Sequence, residues 1–413
     1  MRDTSHYAVG LDIGTTTVRC VVGHVDATTG SPSIVGVGET ANTGMRKGTI
    51  VNLNGPAQAI DDALGEAERM SGHQVDAATV SVNGSHILST VTDGMIAVGA
   101  DDHVVGIDDI GRIEDVATVG KVPPNREILK VVPHSYRLDG QDNIKDPLGM
   151  TGTRLEVFAN VISALTPNIN TLHSVLDMAK VEPNDVVPSA IAAARSVLDE
   201  KQLENGVAVI DLGGSTTGIS IFEEGDLRFT SVVPVGGNNI TNDLAIGLRT
   251  DPEIAEKVKL THGSATEQSG SENVTVKHDK SSLEFKRSEV DEIIGARLDE
   301  LFEAVSKELK KAGRYAKLPS GVVLVGGGAK LKNIADYVKD SLGLAVKVGK
   351  PKGFGGVAEN MDEPQYATAI GLMLSDVTSE KHDGGSRKKG HSAKSTAGHA
   401  GGIIKRFFGR LKT

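Results

Sequence analysis

The sequence predicts an α/β protein made of two halves of one design, and three observations carry the prediction. Short apolar runs alternate with helical patterns along most of the chain, the signature of strands and helices layered together. Two segments about 200 residues apart repeat one plan: an apolar strand ending in Asp, a Gly with Ser or Thr, and a second apolar strand. The interior must be built from small side chains, because hydrophobic residues make up 38% of the 413 but aromatics only 3%, with no Trp and 49 Gly. Val, Ile, Leu and Ala therefore form the cores, with many tight turns between elements. At roughly 100–200 residues per domain, the length allows two to four domains.

Strands are expected over 8–13, 18–25, 79–82, 207–212, 218–222 and 321–325. Helices are expected over 55–71, 169–180, 189–201, 238–248, 287–313 and 331–342. Between about 85 and 165 the pattern becomes strand-rich, with runs at 128–136 and 155–164 and one helix near 107–119. This reads as a small α+β unit inserted into the α/β body. The polar stretch 263–279 reads as a surface loop or hairpin. From 378 to 402 periodicity vanishes into Gly, Ser, His, Lys and Ala, the composition of a flexible linker.

Charge is unevenly spread. From Lys381 to Thr413 nine basic residues face one acidic one, so a segment of +8 follows a body of −18 within the net −10. Such a body is repelled by anionic surfaces except at its tail. The single Cys, Cys20, excludes an internal disulfide framework and falls in an apolar strand as a core residue. The 12 His show no zinc-ligand spacing, and His382, His391 and His399 read as solvated linker residues. The N-terminus does not read as a secretory signal, and no run approaches the ~20 apolar residues of a spanning helix. The chain is expected in the cytoplasm unless something tethers it to a surface.

The repeated plan points to phosphate. One copy reads Asp12-Ile-Gly14-Thr15-Thr16-Thr17, the other Asp211-Leu-Gly213-Gly214-Ser215-Thr216. Each describes a hairpin whose turn offers backbone N–H groups and hydroxyls, with Gly permitting close approach. Asp12 and Asp211 suit Mg²⁺ held through its waters, since Mg²⁺ keeps several waters and few carboxylates. One such hairpin alone reads as an ordinary turn; two at matching positions do not. There is no Walker-type loop. A third cluster, Gly326-Gly327-Gly328-Ala329-Lys330, follows a strand and precedes a helical pattern. It suits the adenosine end of a nucleotide, with a helix N-terminus toward the α-phosphate and Gly236 and Gly237 approaching from the same half.

The last eleven residues, 403–413, place Ile403, Phe407 and Leu411 at helical spacing, with Ile404 and Phe408 beside them. Lys405, Arg406, Arg410 and Lys412 flank that face. A wide apolar face edged by cations suits a helix lying in a bilayer interface. Docking onto the protein's own body is the alternative. Nucleic acid is not expected as a partner, because Arg387-Lys388-Lys389 lacks interleaved aromatics.

Together the three glycine motifs resemble the actin-like ATPase superfamily, a duplicated α/β fold closing over a nucleotide. Further motifs resemble its FtsA family of bacterial cell-division proteins: Gly48-Thr-Ile-Val-Asn-Leu53, Ala67-Glu68 with Ser71-Gly72, and Asp146-Pro147-Leu-Gly149-Met150. Leu248-Arg249-Thr250 with Ile254-Ala255-Glu256, and Tyr366-Ala-Thr-Ala-Ile-Gly-Leu372, add to these. The resemblance covers nearly the whole chain, including the place of the insertion and the basic tail. It implies a first half from 1–84, 166–200 and 363–377, carrying the insertion at 85–165. It implies a second half from 201–237 and 320–362, with a helical subdomain over 238–319.

It also implies ATP and Mg²⁺ as ligands, self-assembly into a homopolymer, and links to FtsZ and other division proteins. The location implied is the cytoplasmic face of the membrane at the division site, on anionic lipid. Arg297, in Gly295-Ala-Arg297-Leu, reads first as an ion-pair residue on a long helix; the resemblance adds a place on the face that receives the C-terminal peptide of FtsZ. Four positions depart from the family pattern. Thr17 stands where a long side chain is frequent, Ser215 replaces a glycine, Gly218 replaces an Asp, and Val187 precedes Pro188 where several relatives carry a Glu that orients water. Phosphoryl transfer needs such a group, so nucleotide binding with at most slow hydrolysis is expected. The alternatives are an assembly-platform protein resembling PilM and a small-molecule kinase of the same superfold.

Overall fold

A computed structural model describes residues 6–99, 102–268, 272–278, 281–356 and 361–379. The chain opens with β1 (His6–Ile13), β2 (Thr17–Val25), β3 (Pro32–Ala41), the two-residue strands β4 (Met45–Arg46) and β5 (Thr49–Ile50), α1 (Asn54–Ser71) and β6 (Ala77–Val82). An inserted unit follows: β7 (Leu88–Ala97), α2 (Ile107–Thr118), β8 (Arg126–Leu138), β9 (Gln141–Ile144) and β10 (Arg154–Leu165). The first half resumes with α3 (Thr166–Met178), β11 (Glu182–Pro188) and α4 (Ser189–Val197), and α5 (Glu200–Asn205) leads on. Next come β12 (Val207–Leu212), β13 (Thr217–Glu223), β14 (Asp226–Val233), α6 (Gly237–Gly247), α7 (Pro252–His262), β15 (Asn273–His278), β16 (Ser281–Lys286) and α8 (Arg287–Lys311). The chain continues through β17 (Val322–Val325), α9 (Ile334–Leu342), β18 (Val346–Val348), β19 (Gly355–Gly356) and α10 (Ala367–Ser379).

The two main sheets repeat one topology. In the first, the antiparallel meander β3-β2-β1 is extended by parallel β6 and β11; in the second, β14-β13-β12 is extended by parallel β17 and β18. β1 and β12 hold the same place in each, and both are buried along nearly their whole length, as strands covered on two faces must be. The insertion is an antiparallel sheet, β7-β10-β8-β9, with Ile113 and Ala117 of α2 in its own core. Helix α8 buries Val290, Ile294, Leu298, Leu301, Val305 and Leu309, a stripe recurring every three or four residues.

Between the sheets lie α4 and α10, and here the small-residue composition acts. Gly371 of α10 sits so close to α4 that an added Cβ would fall 1.8 Å from the carbonyl oxygen of Ala192. Ser220 Oγ donates to the Ala190 carbonyl (2.8 Å), tying α4 to the second sheet, and Ser196 Oγ donates to the Ala367 carbonyl (2.8 Å). Buried Asp376 on α10 accepts from Val9 N (2.8 Å), Thr79 Oγ1 (2.7 Å) and Asn184 Nδ2 (2.9 Å), one contact on each of β1, β6 and β11.

Several elements differ from the sequence expectation. The helix expected over 189–201 breaks at Leu198, because Asp199 accepts from Gln202 N and caps a new helix, α5. The helix expected over 331–342 starts only at Ile334, since Asn333 is left-handed with φ 60°. The stretch 263–279 contributes β15, one arm of a hairpin with β16. Strand β11 carries Glu, Asn, Asp and two prolines, tolerated because it is a sheet edge. Helix α10 runs through Ser379, two residues into the expected linker. The rest of that linker and the segment 403–413 lie outside the described residues.

The insertion also touches the second half. Lys145 Nζ reaches Asp226 (2.7 Å) and Glu224 (3.4 Å) on the β13–β14 hairpin and donates to the His134 carbonyl (3.2 Å). Burial pushes His134 down from 6.5 to about 4, helped by Arg228 and Lys145 and opposed by Glu224. The folded protein thus disfavours the imidazolium that the unfolded chain accepts. His134 therefore withdraws stability as pH falls from 6.5 toward 4 and withdraws none above that window. In denaturant titrations across that window, His134→Gln is expected to lose less stability than the parent. An equal loss in both would mean that His134 is not the group responsible.

Candidate functional site

The ends of β1 and β12 face each other across the space between the halves. Asp12 is the penultimate residue of β1; beside it Ile13 N donates to Ser81 Oγ (2.8 Å), and Gly14 N donates to the Thr17 carbonyl (3.1 Å). Buried Asn42, just past β3, pins this turn from outside: its backbone N donates to the Thr16 carbonyl (2.8 Å) and its Nδ2 to the Gly14 carbonyl (2.7 Å). The second turn closes the same way, with Gly213 N donating to the Thr216 carbonyl (2.9 Å). The start of α6 pins it, through Gly237 N to the Gly213 carbonyl (2.9 Å) and Asn238 N to the Gly214 carbonyl (2.6 Å). Gly236 is required there, because a Cβ would stand 2.5 Å from the Gly213 carbonyl oxygen. The turns meet at Gly214, where a Cβ would fall 2.7 Å from Thr16 Cγ2. Among the described residues, the amides of Thr15, Thr16, Gly214 and Ser215 donate to no protein acceptor.

The third cluster follows β17. Gly326 has φ 82°, and a Cβ on it would lie 2.4 Å from Asp211 Oδ1, so only glycine fits. Its N–H donates to the Pro364 carbonyl (2.9 Å), and Lys330 pairs with Glu363 (2.7 Å). The expected helix start is corrected here: Gly327–Lys330 form a single 3₁₀ turn, and α9 begins beyond left-handed Asn333. No α-helix N-terminus therefore stands at the third glycine loop.

These elements enclose a cavity of about 980 Å³. Its wall includes Asp12, Gly14, Thr15, Thr16 and Thr17 from the first half. From the second half come Asp211, Gly213, Gly214, Thr216, Gly236, Gly237, Gly326, Gly327, Gly328 and Lys330. Ser215 is not in the wall; its Oγ accepts from Asn238 Nδ2 (3.4 Å). The wall also holds residues that the sequence did not single out as ligand contacts. Glu256 and Lys259 of α7 are paired at 2.6 Å, and Lys259 Nζ also donates to Thr241 Oγ1 (2.8 Å). Asn83, Gln268 and Arg287 complete a polar lining, with Arg19 and Glu39 on the first-half side.

The electrostatics centre on two acids. Asp12 and Asp211 are 9% and 7% exposed. Burial pushes Asp211 up to about 7, and the Asp12 charge adds to it; the Thr368 hydroxyl and Arg19 pull the other way. Burial likewise raises Asp12, against Arg19 and the Ser81 hydrogen bond. Two carboxylates that disfavour joint ionisation are what a divalent cation would relieve. Among the described residues no cluster of three or more His, Cys, Asp or Glu forms a metal cage, so Mg²⁺ here would draw its other ligands from water and phosphate. The unpaired turn amides fit the phosphate part of that pairing.

Arg297 lies elsewhere. It forks onto Asp243 of α6, with Nε to Oδ2 at 2.5 Å and Nη2 to Oδ1 at 3.0 Å, and also meets Glu300. Val187 is buried in a hydrophobic core to which both halves contribute. Cys20 is fully buried there as well, and burial pushes its thiol up to about 12.

The family model described as cell division protein FtsA matches residues 208–371, and that of the SHS2 domain inserted in FtsA matches 84–163. The chain is 34% identical over 370 residues to cell division protein FtsA of Pseudomonas aeruginosa, covering 89% of this chain and 88% of that one. It is 37% identical over 369 residues to that of Bacillus subtilis, covering 88% and 82%. In fold it is similar to the PilM–PilN type IV pilus biogenesis complex, with TM-score 0.65, 18% identity and 90% and 98% coverage. It is also similar to MreB5 of Spiroplasma citri bound to ADP, with TM-score 0.55, 15% identity and 92% and 99% coverage. These two likenesses concern the fold, and they agree with the paired sheets around a cleft. Sequence and architecture together make this chain a member of the FtsA family of cell-division proteins, with the actin-like ATPase fold and an SHS2 domain inserted in its first half.

Proposed function

We propose that the chain binds Mg-ATP in the cavity between its halves, assembles into a polymer, and links FtsZ filaments to the cytoplasmic face of the membrane at the division site. The observation that carries the nucleotide reading is the pair of strand-end carboxylates, Asp12 and Asp211, between two turns in which the amides of Thr15, Thr16, Gly214 and Ser215 donate to no protein acceptor among the described residues. Gly14, Thr15, Thr16, Thr17, Gly213, Gly214 and Thr216 would surround the phosphates. Gly236, Gly237, Gly326, Gly327, Gly328 and Lys330 would lie by the adenosine. Bound Mg²⁺ would neutralise phosphate charge. Asp12 and Asp211 would hold its waters, and the pinned turns would fix the phosphate oxygens. Val187 offers no carboxylate to orient a water, so turnover far below the ~10 s⁻¹ enzyme median is expected.

The family relation supports the partner reading, since the relatives are named as cell-division proteins. For the FtsZ peptide we propose the face of α6 and α8 that carries Arg297. There a peptide carboxylate would compete with Asp243 for the guanidinium fork. No described helix is long and apolar enough to cross a membrane. The proposed tether is instead the segment 403–413, lying in the interface through Ile403, Ile404, Phe407, Phe408 and Leu411. Its four cations contribute about 1 kcal/mol each near an anionic leaflet. Ordering its backbone opposes this by about 1–2 kcal/mol per residue. One tail then binds weakly, and a polymer carrying many tails gains avidity with no new contact.

Two measurements test this function. In equilibrium titrations, Asp12→Ala is expected to weaken Mg-dependent ATP binding at least tenfold; affinity equal to the parent's would overturn the site assignment. In sedimentation with anionic vesicles, Phe407→Glu or removal of 403–413 is expected to leave the protein soluble with ATP binding intact. Undiminished sedimentation of the shortened chain would sink the tether.

A further inference from the structure

The register of the first sheet brings an arginine to the phosphate side of the cavity. Asp12 on β1 pairs with Arg19 on β2, and Arg19 pairs in turn with Glu39 on β3. Residues directly opposite one another across neighbouring strands share a face of the sheet. Arg19 and Glu39 therefore stand in a row with the buried carboxylate, and all three line the cavity. Arg19 is the only cation that the first half contributes to this wall among the described residues. Of the second half's cations in the wall, Lys330 pairs with Glu363, Lys259 with Glu256 and Lys332 with Gln268, and Arg287 stands in the lining as well.

Arg19 is held but not saturated. Its Nη2 meets Glu39 Oε1 at 2.8 Å, its guanidinium lies 5.6 Å over the Tyr366 ring, and its side chain is 16% exposed. Its Nε is buried with no hydrogen-bond partner among the described residues, an arrangement that is unfavourable unless a ligand completes it. Glu39 is also shared, since the Tyr366 hydroxyl donates to its second oxygen at 3.0 Å. Arginine's planar fork is suited to phosphate oxygens.

We infer that Arg19 is the first half's phosphate-contacting cation, and that Glu39 competes with the phosphates for it. The inference rests on reading the cavity as a nucleotide site and adds a residue and an internal competitor to it. When a nucleoside di- or triphosphate enters, the free Nε–H and the donors released from Glu39 turn to phosphate oxygens. Glu39 keeps the Tyr366 hydroxyl. The two substitutions therefore have opposite signs. Removing Arg19 deletes a charge-assisted contact, and neutralising Glu39 frees the arginine.

The test is equilibrium binding of Mg-ATP and Mg-ADP to the full chain, its Arg19→Gln, Arg19→Lys and Glu39→Gln variants, and the Arg19→Gln/Glu39→Gln double variant. Thermal unfolding without nucleotide checks the fold of each. Arg19→Gln is expected to weaken both nucleotides about tenfold or more, the scale of a lost charge-assisted hydrogen bond. Arg19→Lys should recover part of that loss. Glu39→Gln is expected to tighten binding, a sign that a purely structural pair would not give, and to have no effect once Arg19 is gone. Parent-like affinity in folded Arg19→Gln overturns the inference, and weaker binding in Glu39→Gln overturns it even if Arg19→Gln fails to fold. A parent that binds neither nucleotide overturns the cavity reading itself.

Discussion

Asp12 and Asp211 end equivalent strands of two different sheets, and both are nearly buried where those strand ends face each other. Burial raises both, and the Asp12 charge adds to the rise of Asp211, which reaches about 7. Like charges brought out of water oppose close approach of the groups that carry them. Joint ionisation of the two carboxylates is therefore unfavourable at this point between the halves. Around that point lie hydroxyls and, among the described residues, backbone amides without acceptors and an incompletely satisfied arginine. On the proposed reading, a polyphosphate with its divalent ion completes each of these, and the two halves share it.

The scaffold can hold this arrangement because its interior is small. Helices α4 and α10 approach within backbone contact at Gly371, and serine hydroxyls fasten them to each other and to the second sheet. Asp376 then ties α10 to three strands of the first sheet. Larger side chains at these places would separate the sheets and pull the two strand ends apart. The scarcity of aromatics and the abundance of glycine follow from a fold that packs helices between two sheets at short range.

Much of this was legible in the sequence where the signal is local. Each hairpin is encoded within a dozen residues, because Asp, Gly and a hydroxyl sit at fixed positions around the turn. The inserted unit announced itself by a change of periodicity. What was not legible depends on distant segments meeting. Arg19 and Glu39 become neighbours of Asp12 only through strand register. Lys259 and Glu256 reach the wall only through the packing of α7 against α6. The 3₁₀ turn after β17 looked like a helix start because Gly-Gly-Gly followed by an amphipathic run is also how helices begin. The left-handed Asn333 that separates the two has no strong local signature. Strand β11, polar and twice interrupted by proline, is set by its edge position.

The central claim is that one ligand is gripped by both halves at once, and amide hydrogen exchange read residue by residue tests it most directly. On addition of Mg-ATP, exchange at Thr15 and Thr16 should slow together with exchange at Gly214 and Ser215, because these amides have no protein acceptor among the described residues. Slowing in only one of the two turns, or in neither while ATP is bound, would contradict the account.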